Sequence, residues 1–498
     1  MEVNFEKKQI SCLNTVLRQV QNSEQTLEMK LQEGMPDVGQ VLTAWGQPIL
    51  RSKEWRDDQV QFSGGMMVWV LYAPEDGTEE QCVQGWIPFQ MRWDLPENTP
   101  EGTLRFRCLP RFVDGRSTSP RKILIRAGMA VMAEAFAPVE IQTAKPGQGL
   151  ENVALLEKTY PLRFMKEAGE KAFQLEEELH LPDSVPRIGR LITWRVNPRI
   201  TDQRVLADKM VIKGNGNLHL LYRSDAGQLL TWDFELPFSQ YADLREEHGS
   251  DARMDVVLMP TAMELELRED GNLDVRGGIT AQYLITDQQP VTLVEDAYSP
   301  VWDLTIQQED LTPPVVLENR RENLYGEQAI SGNANLITDI QFLPDFPRQR
   351  RTETGVEIAY PGQFQMLYYG EDGRLHGGSA RWEGKQSFPA DENSSIFAVP
   401  MIPDAQAVTG NGKILAKMDL PVELTATADP SIPMVTGVEL GQKKSPDPNR
   451  PSLILRRAGG NRLWDIAKAT GSTMETICKT NGLTGEPDPE QMLLIPIP

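Results

Sequence analysis

The sequence is poor in the residues that build metal sites and disulfide frameworks. It has four histidines and four cysteines in 498 residues, and no two cysteines stand in a CxxC spacing. The histidines are isolated, without ligand spacing to any cysteine, so we predict no metal site and no cofactor. The cysteines, which we expect to be buried free thiols of a reducing compartment, are Cys12, Cys82, Cys108 and Cys478.

Long apolar runs and excess positive charge are also lacking. No stretch of about 18 uncharged apolar residues occurs, which predicts no membrane insertion. The N-terminal segment has acidic residues where a secretion signal would be basic, and it lacks the apolar core of such a signal, so we expect a cytoplasmic protein. The net charge of −21 repels phosphate groups, which disfavours nucleic acids and anionic membrane surfaces as partners.

Motifs of common catalytic sites are absent as well. No GxSxG nucleophile motif occurs. The glycines and lysine at 410–413 lack the spacing of a phosphate-binding loop and are typical of a hairpin turn. Acidic runs such as 176–178 are interpreted as solvated faces rather than catalytic pairs. We therefore predict that the protein is not an enzyme.

What the sequence does contain is a repeated strand-and-turn segment. It reads MMVWVLYAPEDG at 66–77, GNLHLLYRSDAG at 216–227 and GQFQMLYYGEDG at 362–373. Each copy is an apolar run that ends in Leu-Tyr and continues into a polar turn closed by glycine, which predicts a strand entering a hairpin. Such regular recurrence indicates an internal repeat. The matched tyrosines, at intervals of 150 and 146 residues, are Tyr72, Tyr222 and Tyr368.

Side chains alternate between two faces along each of these strands. The opposite face from the tyrosine is polar in the second and third copies but carries Trp69 and Met67 in the first. These two residues indicate that the face is covered by another part of the chain or by a partner, or else forms an exposed patch. The tyrosine face is apolar in every copy, as a buried face requires. Its residues two and four positions before each tyrosine are Val70 and Val68, Leu220 and Leu218, and Met366 and Phe364.

Many strand patterns separated by turn residues predict a mainly β protein with tandem β-sandwich-like repeat domains. Three deviations are expected: a short amphipathic N-terminal helix within 5–22, one or two helical turns within 151–174, and an extended connection at 305–325. The predicted units are the N-terminal helix with repeat 1 at 1–148, repeat 2 at 149–304, a divergent repeat 3 at 305–442, a linker at 443–451 and a small α+β domain at 452–498.

The last unit has a pattern that predicts the order strand, helix, helix, strand in fewer than 50 residues. It reads Gly-Asn-Arg-Leu-Trp-Asp-Ile-Ala at 460–467, followed by Thr473, Asn-Gly-Leu at 481–483 and Leu-Leu-Ile-Pro at 493–496. In these marks it resembles the LysM domain, whose signature is Gly-Asp-Thr-Leu-Trp-x-Ile-Ala. The family's ligand groove lies between the loop after the first strand and the loop before the last.

The LysM resemblance implies a binding site in these two loops. This sequence departs from the family where Asn461 and Arg462 replace Asp-Thr, and in an acidic second loop. A long cation in a small uncharged sugar pocket argues against N-acetylglucosamine as the ligand. We expect Trp464 to lie in the core. Carried over by position, the binding residues are Gly460, Asn461, Arg462, Leu463, Gly482, Leu483 and Thr484.

Four marks in repeat 2 point to a known family. These are Ile-Gly-Arg-Leu-Ile at 188–192, Leu-Tyr at 221–222, Leu-Pro-Phe-Ser at 236–239 and Asp-Val-Arg-Gly at 274–277. With them the chain resembles the SPOCS domain of the SipL family of spore morphogenesis proteins, best in repeat 2, well in repeat 1 and partially in repeat 3. SPOCS repeats followed by one LysM domain is the arrangement of that family.

The resemblance implies a non-enzymatic organiser of the spore coat, located in the mother-cell cytosol at the forespore surface. Its LysM domain is expected to bind the morphogenetic ATPase of the coat's basement layer, with Arg462 making a charge-assisted contact and Leu463 and Leu483 as apolar anchors; other coat proteins are further candidate partners. One alternative is a cell-wall protein that binds peptidoglycan or chitin. Another is a hydrolase, whose pocket would hold converging carboxylates of strongly shifted pKa.

Overall fold

The computed structural model of the chain describes residues 2–3, 5–146, 152–410, 413–445 and 451–497. In this part of the chain, 25 β-strands form seven sheets, and two short α-helices lie near the C-terminal end. The predicted mainly β fold is therefore confirmed.

Repeat 1 combines a three-stranded sheet with a ladder of longer strands. The strands are β1 (Glu2–Val3), β2 (Phe5–Lys30), β3 (Val38–Arg56), β4 (Gln59–Pro74), β5 (Gln81–Asp94), β6 (Thr103–Ser119) and β7 (Lys122–Pro146). In the sheet β4 pairs with β3 and β5, and in the ladder β7 pairs with β2 and β6. Apolar residues of both layers, among them Phe62, Val70 and Phe106, form one core.

Repeat 2 has the same strand order and pairing. Its strands are β8 (Ala154–Leu179), β9 (Ile188–Leu206), β10 (Lys209–Ser224), β11 (Leu229–Asp243), β12 (Arg253–Leu267) and β13 (Leu273–Tyr298). Here β10 pairs with β9 and β11, and β13 pairs with β8 and β12. Each strand thus has the neighbours of its counterpart about 150 residues earlier, so the repeat in sequence is a repeat in structure.

Repeat 3 follows the same plan with interrupted strands. Its strands are β14 (Trp302–Leu311), β15 (Val315–Ser331), β16 (Ala334–Pro344), β17 (Arg348–Thr352), β18 (Gly355–Gly370), β19 (Leu375–Pro389), β20 (Ser394–Pro400), β21 (Ala405–Gly410), β22 (Lys413–Ala428) and β23 (Ile432–Lys443). β18 pairs with β16, β17 and β19, β22 with β15, β20 and β21, and β23 with β14 and β1.

Proline marks the places where four strands of the shared plan are split in repeat 3. Proline has no N–H to donate to a ladder, so it favours a break in pairing, although Pro161 and Pro361 lie within paired strands. One proline or more lies in each break, between β14 and β15, β16 and β17, β20 and β21, and β22 and β23: Pro313, Pro314, Pro347, Pro403 and Pro430.

The predicted N-terminal helix within 5–22 is wrong, because these residues belong to β2, which pairs with β7 over its length. Ile10 and Cys12 lie in one core, Leu13 borders a second and Leu17 a third. A bulge after Thr15 also shifts the alternation of faces by one residue. A long strand whose neighbours change along its length can therefore imitate helical spacing.

Two other expectations between repeats are also wrong. The helical turns expected within 151–174 are replaced, from Ala154 onward, by β8, which stays paired with β13 even at Pro161. The connection expected at 305–325 is occupied by β14 and β15, which pair with β23 and β22. The predicted linker at 443–451 begins on the last residue of β23, and 446–450 lie outside the described residues.

The predicted hairpin strands are β4, β10 and β18, and the apolar positions before each tyrosine are buried in all three. Tyr72 donates its hydroxyl to the Pro36 carbonyl at 3.0 Å, and Tyr222 donates to the Pro186 carbonyl at 3.1 Å. Tyr368 is half-buried and instead stacks on His376, with 5.7 Å between ring centroids. Two of the three tyrosines therefore share one environment, and the divergent repeat has lost it.

The apolar outer face of β4 is covered by repeat 2. Trp69 is 2% exposed and meets the Trp194 ring edge-on at 5.4 Å. The interpretation that another part of the chain covers this face is confirmed. The hairpin sheets of the three repeats touch in pairs. Repeat 2 contacts repeat 1 where β9 lies against β3 and β5, repeat 3 contacts repeat 2 where β16 lies against β11, and repeat 3 contacts repeat 1 where β19 lies against β3. The hairpin sheets of the three repeats thus close into a ring.

The C-terminal module has the predicted order of strand, helix, helix and strand. Its elements are β24 (Leu453–Arg457), α1 (Leu463–Thr470), α2 (Met474–Asn481) and β25 (Met492–Pro496). β24 and β25 form a two-stranded antiparallel sheet, and both helices pack on one of its faces. Neither helix is long and apolar enough to cross a membrane, among the residues described.

Candidate functional site

The C-terminal module is held together by a small apolar core. Leu463, Trp464 and Ile466 of α1 are at most 5% exposed and pack with Ile477 of α2 and Leu493 of β25. The spacing of the three α1 residues puts them on one side of the helix, which is why the sequence forms an amphipathic helix here. The predicted core position of Trp464 is confirmed.

A side-chain cap marks the start of α2, and a glycine follows the end of each helix. The Thr473 hydroxyl accepts a hydrogen bond from the Thr476 N–H at 3.1 Å, as an N-cap residue does. Gly471 and Gly482 follow the two helices with φ of 66° and 64°, a left-handed conformation that glycine adopts without steric cost. Gly482 therefore has a structural reason for its identity, independent of ligand binding.

The structure brings the two predicted binding loops together. Glu486 of the second loop accepts a hydrogen bond at 2.7 Å from the N–H of Leu463, the first residue of α1. A carboxylate at a helix N-terminus satisfies a free N–H and is stabilised by the helix dipole. The acidic second loop is thus tied to the first, and the Leu463 N–H is no longer available to a ligand.

The predicted site residues differ in accessibility. Leu463 is 5% exposed and its side chain belongs to the core, whereas Leu483 is half-buried at its edge. The remaining five, which the structure leaves exposed on the two loops, are Gly460, Asn461, Arg462, Gly482 and Thr484.

The cation of this loop surface already has an intramolecular partner. Arg462 donates to Asp465 through Nε at 2.9 Å and through a terminal nitrogen at 3.1 Å. This hydrogen-bonded pairing raises the pKa of Arg462 and lowers that of Asp465. The Arg462 side chain remains 59% exposed, so its other donors face solvent.

Sequence reasoning missed that the module docks on repeat 2. The Trp464 indole N–H donates to Asp296 at 2.9 Å, and Lys468 reaches the same carboxylate at 2.7 Å. The Tyr298 ring meets Trp464 edge-on at 4.7 Å, and its hydroxyl donates to the Ser472 carbonyl at 3.0 Å. One signal was available: a buried tryptophan needs an acceptor for its N–H, and the module's own apolar core offers none.

A second polar cluster lies where the three repeats meet. Asp339 of repeat 3 accepts a hydrogen bond from the Trp45 indole of repeat 1 at 2.9 Å. Arg195 and His219 of repeat 2 bind the same carboxylate at 3.2 and 3.0 Å. Burial alone would raise the pKa of Asp339, but Arg195 and His219 hold it well below its usual range. The carboxylate is therefore ionised and joins all three repeats.

Carboxylates also converge on a cavity of about 210 Å³ between the repeats. A hydrolase would need such a cluster of carboxylates in a pocket, so this cavity is where that alternative is examined. Glu134 and Asp255 lie 2.7 and 2.6 Å from Arg105, and Glu423 lies 2.7 Å from Arg107. Burial alone would raise the pKa of Glu134, but Arg105 and Arg18 lower it to about 2.

A general acid at neutral pH requires a raised pKa instead. Glu134 instead pairs with Arg18 and Arg105 inside repeat 1. Asp255 and Glu423 form ion pairs with arginines of repeat 1 and so join it to repeats 2 and 3. No group of three histidine, cysteine or carboxylate side chains is placed to hold a metal ion in the described part of the chain.

Fold and site together define a modular β-protein, in which repeats of one strand plan carry a small βααβ module. Residues 187–266, which span β9 to β12 of repeat 2, match the family model described as SipL, SPOCS domain. This similarity supports a SipL-like chain and suggests a sporulation-related coat protein. No curated protein and no solved structure matches the chain.

Proposed function

We propose that the protein is a non-enzymatic adaptor of spore-coat assembly in the mother-cell cytosol. In this proposal the three repeats form the scaffold, and the C-terminal module, similar to LysM, binds the ATPase of the coat's basement layer at the forespore surface. The observation that carries the proposal is the SipL, SPOCS match at 187–266, whose strand order recurs in repeat 1. Tandem copies of such a unit before a βααβ module are the family's arrangement.

The exposed loops of the module are the proposed contact surface for the ATPase. Arg462 would exchange part of its contact with Asp465 for an acidic group of the partner, because its side chain is exposed and has five donors. Leu483, at the edge of the core, would supply apolar contact beside it. Leu463 lies inside the core, so a substitution there would report on folding as well as on binding.

A protein ligand fits this surface better than a glycan. In the structure the Leu463 N–H is bonded to Glu486, and the first loop carries the Arg462–Asp465 ion pair. A small neutral sugar would have to break these interactions to bind. Breaking them costs free energy, because a neutral sugar offers the separated charged groups no new ionic partner.

The test is capture of the purified ATPase by the full-length chain. We expect the unsubstituted chain to bind, and Arg462→Glu to bind at least about tenfold more weakly, because one charge-assisted contact becomes a repulsion. Lys479→Glu is the matched control, since Lys479 is an exposed cation of the same module outside the two loops. Tight binding of chitin or peptidoglycan fragments without binding of the ATPase would support the cell-wall alternative instead.

A further inference from the structure

The two-stranded sheet of the C-terminal module has one apolar face that nothing in the described chain covers. Ile454 and Ile495 point to the helices and lie in or against the core. The opposite face carries Leu453 and Leu455 of β24 and Met492 and Leu494 of β25. Their exposed fractions are 51%, 62%, 50% and 40%. Four large apolar side chains exposed side by side indicate an interaction surface.

The hydrogen bonds of β24 show which of its backbone groups point outward. The Ile497 N–H donates to the Ser452 carbonyl and the Ala458 N–H to the Gln491 carbonyl, each at 2.9 Å. Bonded and non-bonded pairs alternate along an antiparallel ladder, so the even-numbered residues of this stretch face β25. The N–H and C=O groups of Leu453, Leu455 and Arg457 therefore point away from β25. None of them has a hydrogen-bond partner among the described residues.

The other edge of this sheet is closed at its centre. Leu494, the partner of Leu455 in the ladder, donates its N–H to the Asn481 side chain at 2.7 Å and accepts from it at 2.6 Å. The amide of Asn481 thus takes the place of a neighbouring strand on β25. Among the described strands of the module, β24 therefore offers an open row of three outward-facing residues next to the apolar face.

Charge argues that the strand which fills this edge belongs to another protein rather than to a second copy. The module at 452–498 has five basic and five acidic side chains and is neutral, so the net charge of −21 belongs to residues 1–451. Two copies joined at β24 would bring two strongly acidic bodies together, which is unfavourable. Within the described residues Arg456, on the helix side of β24, has no ion-pair partner.

We propose that β24 binds an extended segment of a partner protein by strand addition. The segment would pair with the outward groups of Leu453, Leu455 and Arg457. Every second side chain of the segment would be apolar and would pack beside Leu453 and Leu455. An acidic side chain on the opposite face of the segment would pair with Arg456. Backbone pairing supplies affinity and the alternating side chains supply specificity in this mode. The proposal rests on the proposed function, in that the partner is the coat ATPase.

The test compares two substitutions in β24 with a matched control in the full-length chain, measuring affinity for the purified ATPase. Leu455→Pro removes one outward N–H, and an edge strand tolerates it because no bond to β25 is lost. Leu453→Lys puts a charge on the apolar face. The control is Leu206→Lys, which changes a leucine of similar exposure, 54%, in repeat 2. We expect at least about tenfold weaker binding for both β24 variants and no change for the control.

Amide hydrogen exchange identifies the mode directly. On binding the ATPase, exchange at Leu453, Leu455 and Arg457 should slow, whereas Leu494, already bonded to Asn481, should change little. If the unsubstituted chain does not bind the ATPase, the proposed function and this inference both fail. If it binds and the β24 variants bind equally well, only strand addition is overturned. Slowed exchange in β24 that grows with the concentration of the chain alone identifies a second copy and also overturns it.

Discussion

Arg105 and Asp255 are 150 residues apart in the sequence and 2.6 Å apart in the structure. They occupy matching positions of β6 and β12, paired respectively with Glu134 and Leu284 of the neighbouring strand. The duplicated strands face each other, and one copy has a cation where the other has an anion. Divergence of a repeat at this single position therefore provides an ionic contact between the two repeats.

Removing this cation should destabilise the whole scaffold. Arg105→Ala leaves Glu134 and Asp255 buried with less positive charge, and the loss of one partner of a buried ion pair costs about 3–5 kcal/mol. Urea unfolding followed by tryptophan fluorescence measures the change. Arg126→Ala is the control, because its pair with Glu24 is about half exposed and contributes little. Equal effects of the two substitutions would contradict the role given to Arg105.

The contact of His219 with Asp233 and Asp339 should make stability depend on pH. Burial alone would lower the pKa of His219, but hydrogen bonds to these carboxylates raise it above its usual value, despite the nearby Arg195. A raised folded-state pKa stabilises the protein fully below about pH 6.5, the value for the unfolded chain. This stabilisation is lost as the pH rises through the folded-state pKa.

His219→Gln should remove that part of the pH dependence. The melting temperature, measured between pH 6 and 9 (roughly the range over which imidazole titrates), should fall less steeply in this variant than in the unsubstituted chain. His180→Gln is the control, since His180 is on the surface with Asn272 as its partner. Identical slopes for His219→Gln and the unsubstituted chain would show that protonation of His219 does not stabilise the ring of repeats.

Gly377 sets how closely repeat 3 approaches repeat 1. A Cβ atom at this position would lie 1.8 Å from the Leu42 carbonyl oxygen of β3, a backbone atom that cannot move alone. Gly377→Ala should therefore separate β19 from β3 and cost about 1–3 kcal/mol, as overpacking does. Thermal unfolding measures this loss of stability. Gly410→Ala, where a Cβ meets nothing within 4 Å, should be neutral or slightly stabilising.

Asp296 should hold the C-terminal module on repeat 2. Asp296→Ala leaves the Trp464 indole N–H without its acceptor and removes the partner of Lys468, at a cost of about 1–3 kcal/mol. Faster amide exchange in α1 and around Tyr298 should report the weakened docking. Asp465→Ala is the control, because Asp465 is exposed and bonded to Arg462 rather than to repeat 2. Unchanged amide exchange in Asp296→Ala would mean that the apolar contact with Tyr298 is enough to hold the module on repeat 2.

The pattern of apolar and polar residues predicted the structure correctly where the structure depends on residues close together in the sequence. The Leu-Tyr strands, the buried face of each and the order of elements in the C-terminal module followed from alternation and helical spacing. The same reasoning failed for β2 and β8, because strands of 26 residues pass several cores and carry bulges that shift their faces. A hydrophobic pattern shows which side of a segment is buried only as long as the segment packs against the same neighbouring elements along its length.

The sequence by itself determined that this protein is a β-rich internal repeat followed by a βααβ module, since the repeat shows in recurring strand patterns and the module in helical and strand spacing. Only the tertiary structure decided that Trp69 lies against Trp194, that Asp339 joins three repeats and that Trp464 finds its acceptor in Asp296. The physical reason is that such pairs join residues more than a hundred positions apart. Which of many apolar and charged groups meet is set by how whole sheets pack.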